Sequence, residues 1–105
     1  KVVATVPIGG GVDANRFDPG TGLAFSSNGE GTITVVREES PNNFSVLQTV
    51  ATAPGARTME IDGASHTLFT VTARFGTVPA QATPENPRRR PPILPNSFVL
   101  FVLGR

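Results

Sequence analysis

Short apolar, β-branched runs separated by turn residues recur along the whole chain. They are Val2–Val6 with Ile8, Leu23–Ser26, Ile33–Val36, Phe44–Val50, Met59–Ile61, Leu68–Val71 and Phe98–Leu103. Each has the length and composition of a strand. Between them, Asp18-Pro-Gly-Thr-Gly22, Asn28-Gly-Glu-Gly31 and Ser40-Pro-Asn-Asn43 supply the positive or preset φ that tight turns need. No helical period of useful length interrupts this pattern. It predicts an all-β chain.

The pattern also repeats. At an offset of 44 residues, Val2-Val-Ala-Thr-Val6 lies over Val46-Leu-Gln-Thr-Val50, Gly11 over Gly55, Phe17-Asp18 over Ile61-Asp62 and Phe25 over Phe69. Ile33-Thr-Val-Val36 then matches Val99-Leu-Phe-Val102 at an offset of 66, which implies a 22-residue insertion in the second copy, at Gly76–Ser97. One unit of about 44 residues holding four strands has the size of a β-propeller blade. Blade one is expected over residues 13–51, with strands at 13–17, 23–27, 32–37 and 44–51. Blade two is expected over 57–105, with strands at 57–61, 67–73 and 98–103. Residues 1–8 read as strand D of a preceding blade. The order D-ABCD-ABC gives two four-stranded antiparallel blades' worth of strands, cut out of register. Because two blades cannot close a ring that needs four to eight, the chain is expected to be part of a larger or oligomeric propeller.

Composition narrows the chemistry. The 11 Gly and 10 Pro form about a fifth of the 105 residues, a density unsuited to a helical bundle. With no Cys, disulfides, zinc–thiolate sites and cysteine nucleophiles are excluded. His66 is the only histidine, so no multi-His metal site can form within one chain. No metal and no cofactor are expected. A net charge of +1 does not point to nucleic acid as a partner. No run approaches the ~18 apolar residues of a membrane span. The first residues are too short an apolar run for a signal peptide, so the expectation is either a cytosolic chain or one from which a targeting segment has already been removed.

Val6-Pro-Ile-Gly-Gly-Gly-Val-Asp-Ala14, Phe17-Asp-Pro19, Phe25-Ser-Ser-Asn-Gly29, and Thr52-Ala-Pro-Gly-Ala-Arg-Thr-Met59 with Asp62 and His66-Thr67 together resemble the YVTN-type, YncE-like β-propeller repeat family. The resemblance covers nearly the whole chain outside Gly76–Pro95, although the signature tyrosine is replaced around Phe25 and Phe69 and the chain has no Tyr. It implies a multi-bladed propeller, exported to the periplasm or secreted, with binding or scaffold roles and no agreed catalytic residues.

In the blade arrangement, Pro7–Val12, Asn28–Gly31, Thr52–Ala56 and the insertion share one face, where propellers bind ligands. Gly9-Gly-Gly-Val-Asp-Ala14 matches a dinucleotide motif by letters, but that motif requires a following helix, and turn chemistry follows here. The repeat sets Asp13 over Arg57 and Arg16 over Glu60, opposite charges at equivalent positions. Two readings stand: ion pairs that fix the registry of adjacent blades, or a polar ligand site formed by Asp13, Arg16, Arg57 and Glu60. His66 falls in a turn on the opposite face, and no catalytic triad is predicted around it. Arg88, Arg89 and Arg90, within a proline-rich insertion, read either as a solvated loop or as a contact for an anion or a protein partner.

The expected function is a ligand-binding or protein-interaction scaffold with no chemistry of its own, its partners being further blades or copies of itself. A propeller-type hydrolase or lactonase acting at the channel mouth is one alternative. A self-assembling structural ring is the other.

Overall fold

A computed structural model describes residues 1–74, 76, 79–85, 87–90 and 93–104. Thr77, Val78, Asn86, Pro91 and Pro92 of the expected insertion, with Phe75 and Arg105, lie outside the described residues. Seven strands form: β1 (Val12–Asp18), β2 (Leu23–Asn28), β3 (Thr32–Ser40), β4 (Asn43–Ala51), β5 (Met59–Asp62), β6 (Thr67–Thr72) and β7 (Val99–Leu103). They make two antiparallel sheets, β1-β2-β3-β4 and β5-β6-β7, each a simple meander. Among the described residues there is no helix, and hence none long and apolar enough to cross a membrane.

Alternation decides which face of each sheet is covered. Phe25 pairs with Val35 and Ile33 with Val50 across neighbouring strands, which puts these apolar side chains on one face of the first sheet. In the second sheet Ile61 pairs with Leu68 and Leu68 with Leu103. The two faces meet: Ile33, Val35, Met59 and Leu68 are buried together, with Ala14, Leu23, Phe25, Val50, Ile61 and Leu103 packed against them. Burying a side chain as fully as Ile33 or Leu68 contributes about 1.5–3 kcal/mol. The radius of gyration is 16.1 Å, above the ~13 Å of a compact domain of this length. Two sheets side by side leave much apolar surface open.

Two sequence expectations can be set against the structure. First, Val2–Ile8, expected as strand D of a preceding blade, pairs with no strand among the described residues. A strand exists only in a ladder, and among the described residues no sheet edge takes this segment. Val2 is 80% exposed and Val3 52%. Second, the match between β3 and β7 shifts by one residue. Phe25 pairs with Val35, and its counterpart Phe69 pairs with Val102. Val35 therefore corresponds to Val102, an offset of 67, and the insertion is 23 residues long. A one-residue slip exchanges the two faces of a strand, so this correction decides which side chains of β7 point outward.

Candidate functional site

Three glycine loops gather at one end of the molecule. Gly29 N–H donates to the Gly11 carbonyl at 2.7 Å, and Gly55 N–H to the Gly29 carbonyl at 2.9 Å. Thr52 N–H donates to the Gly31 carbonyl at 2.8 Å. Backbone thus joins backbone across residues 9–11, 29–31 and 52–55. The approach is close enough that a side chain would not fit: a Cβ on Gly31, at φ +109°, would stand 2.9 Å from Pro54 N. Glu30 closes the rim. Its carboxylate accepts Gly10 N–H and Thr32 Oγ1–H, each at 2.9 Å, and these bonds, Gly10 first, hold its carboxyl below the usual range against the opposing effect of burial.

Local irregularity sets the charged residues. The β1–β2 register shifts between Val12 and Asn15, a bulge that re-aims Asp13. Ser27, wholly buried, sits in the bulge: its Oγ accepts Ala14 N–H at 3.1 Å and donates to the Arg57 carbonyl. One hydroxyl therefore ties the first sheet to the entry of the second. Arg57 is exposed, and its guanidinium lies beside Gly29, where an added Cβ would come within 2.9 Å of Nε.

The four charges separate into two kinds. Arg16 Nε donates to Glu60 Oε1 at 3.2 Å. Glu60 also accepts Ile61 N–H at 3.0 Å; that bond first, then Arg16, keeps its carboxyl below the usual range. This is the expected bridge between equivalent positions of adjacent sheets, and it engages both groups. Asp13 and Arg57 form no ion pair with each other among the described residues. Both are exposed.

The insertion springs from the same end. Thr72, the last residue of β6, donates through Oγ1 to the Pro54 carbonyl at 2.9 Å. Its root is stapled by Ser97, buried at 3% exposure. Arg74 N–H donates to Ser97 Oγ at 2.9 Å, and that hydroxyl donates to the Leu94 carbonyl at 2.6 Å. Arg88, Arg89 and Arg90 are all exposed, and Arg89 Nε donates to the Pro79 carbonyl at 2.9 Å. Strand β1, not a helix, follows Gly9-Gly-Gly11, so the dinucleotide geometry is not built here.

The opposite end holds a pair that the sequence reading passed over. In the β1–β2 turn, Asp18 Oδ1 accepts Gly20 N–H at 3.2 Å and Oδ2 accepts Thr21 Oγ1–H at 2.9 Å. In the β5–β6 turn, Asp62 Oδ1 accepts Ala64 N–H at 3.2 Å and Oδ2 accepts Ser65 Oγ–H at 2.8 Å. Gly22 and His66 then occupy the same place, at φ 71° and 58°. His66 uses that position to reach back: its Nδ1 lies 2.5 Å from Asp18 Oδ2. Burial raises the Asp18 carboxyl, but hydrogen bonds from Thr21, His66 and Gly20 outweigh it and hold the group below its usual value. The repeat aligns Asp18 with Asp62 and Gly22 with His66, which marks the two turns as equivalent; it gives no sign that His66 reaches Asp18.

Between the sheets runs a cleft of about 700 Å³, lined on one side by Leu47, Gln48 and Val50 of β4 and on the other by Val102 and Leu103 of β7. Among the described residues, no three His, Asp or Glu side chains cluster so as to hold a metal ion. No protein-family model, curated protein or solved structure matches the chain.

Proposed function

We propose that the chain is a binding or scaffold module made of propeller-type sheets, with no chemistry of its own, which engages an anionic group of a small ligand or protein partner at its glycine-loop end. The observation that carries this reading is the position of Arg57. Its guanidinium is exposed beside Gly29, on loops whose backbones are bonded to one another. A rigid platform loses little conformational entropy on binding, and a guanidinium offers a planar fork to carboxylate or phosphate. Arg16 and Glu60 serve the junction between the sheets, so the ligand reading rests on Arg57, with Asp13 beside it in the repeat and the exposed Arg88–Arg90 on the insertion. The Asp18–His66 pair lies at the other end, and Asp18 is already engaged by its own turn, which favours a structural role over hydrolysis.

Titration of the labelled chain with inorganic phosphate and with a polyglutamate peptide tests this. Amide shifts are expected at Gly9–Gly11, Gly29–Gly31 and Arg57, lost in Arg57→Met with the remaining spectrum preserved. Shifts that persist in Arg57→Met, or none with either probe, would overturn the reading.

A further inference from the structure

The second sheet lacks the strand that completes the first. In the first, β4 pairs along β3. In the second, β7 pairs with β6 and with no other strand among the described residues. An open strand edge presents unpaired N–H and C=O groups to solvent, a template for a further strand. Val99, Leu100 and Val102 of β7 are exposed. The cleft between β4 and β7 lies beside that edge, in the space a fourth strand of the second sheet would take.

The chain contains the counterpart of the missing strand. Val2-Val-Ala-Thr-Val6 is the repeat of Val46-Leu-Gln-Thr-Val50, the body of β4. Among the described residues it pairs with no strand, and it stands largely exposed. It does not reach its own β7. Gly9 N–H is bonded to Thr34 Oγ1 at 3.1 Å, and Thr34 alternates with Ile33 and Val35, which face the second sheet. The segment thus enters on the side of the first sheet turned away from the second.

We propose that the Val2–Val6 segment of a second copy of this chain adds to β7 as an antiparallel strand, so that copies associate head to tail. The register carries over from β3 and β4. Ile33–Val50, Thr34–Thr49 and Val35–Gln48 become Leu100–Val6, Phe101–Thr5 and Val102–Ala4. Thr5 then shares with Phe101 the face of the second sheet that carries Met59 and Leu103, while Ala4 and Val6 continue the outer face. Pro7 falls opposite Val99, at the end of the ladder, where its missing N–H costs least. Head-to-tail contacts close into rings when the rotation allows. With two sheets per chain and about four to eight in a closed propeller, a ring would hold two to four copies. Only that number rests on the propeller reading; the strand pairing rests on the repeat, and neither depends on the Arg57 site.

The chain has no cysteine, so introduced thiols report the register directly. Ala4→Cys mixed with Val102→Cys, under mild oxidation, is expected to give a mixed disulfide dimer at least tenfold faster than Ala4→Cys mixed with Phe101→Cys. One residue of slip turns the thiols to opposite faces. Thr5→Cys mixed with Phe101→Cys provides a second matched pair should either variant of the first fail to fold. Equal rates in matched and mismatched mixtures would overturn the proposal, as would a light-scattering mass of 11.0 kDa at every concentration of the unmodified chain.

Discussion

The turns Asp18–Gly22 and Asp62–His66 are built by the same hydrogen bonds, donor for donor, 44 residues apart. Their surroundings differ. Asp18 is 2% exposed because the second sheet lies against it and His66 covers it. Asp62 is exposed, with no sheet beyond it. Phe25 and Phe69 repeat the lesson: Phe25 packs into the core between the sheets, while Phe69 lines a shallow depression on the outer face of the second sheet with Val71 and Leu100. Local chemistry makes each unit. Contact with the neighbouring sheet decides what that chemistry stabilises, a division also met in repeat architectures, where nearest-neighbour interfaces supply much of the stability.

Substitutions at paired positions should separate these contributions. Phe25→Ala is expected to cost about 3 kcal/mol and Phe69→Ala about 1 kcal/mol in chemical denaturation; equal losses would remove the distinction between covered and open faces. Gly31→Ala should cost about 2 kcal/mol, because φ is +109° and the new Cβ meets the backbone of Ala53 and Pro54. Gly63→Ala, where nothing lies within 4 Å of the added Cβ, should stay within about 0.5 kcal/mol of the parent.

Acid titration sharpens the comparison of the two turns. The Asp18 carboxyl is lower in the folded chain than when unfolded. Its contribution is therefore complete above the unfolded aspartate value of about 3.9 and is lost as pH falls from there through the lower folded value. Asp18→Asn should lower Tm near neutral pH and flatten its dependence on pH at the acid end. Asp62 is held down by Ser65 and Ala64 within its own turn, so Asp62→Asn should show the same sense with a smaller drop in Tm at neutral pH. A larger drop for Asp62→Asn would reverse the account. The smallest effect belongs to Arg16→Met: the pair with Glu60 is exposed, at 41% and 71% for the two side chains, and any loss of Tm at low salt should vanish at high salt.

The strands were legible because β-branched runs alternate with residues that can only turn the chain. Arg16–Glu60 was legible too, since the repeat places the two at equivalent points of adjacent sheets. The register of β7 was not. Val99-Leu-Phe-Val-Leu103 is apolar at every position, so alternation gives no phase, and only the pairing of Phe69 with Val102 fixes it. The contact of His66 with Asp18 spans 48 residues and depends on how the sheets dock, which no local pattern encodes. Val2–Ile8 shows the converse limit: its residues favour a strand, but propensity names no partner.

The most direct test of the idea that the second sheet is an unfinished copy of the first is the mass of the chain in solution over a wide range of concentration. The account predicts multiples of 11.0 kDa, returning to a single chain when residues 1–8 are deleted while the β-sheet circular dichroism is retained. Assembly that survives the deletion, or a single chain throughout, would contradict it.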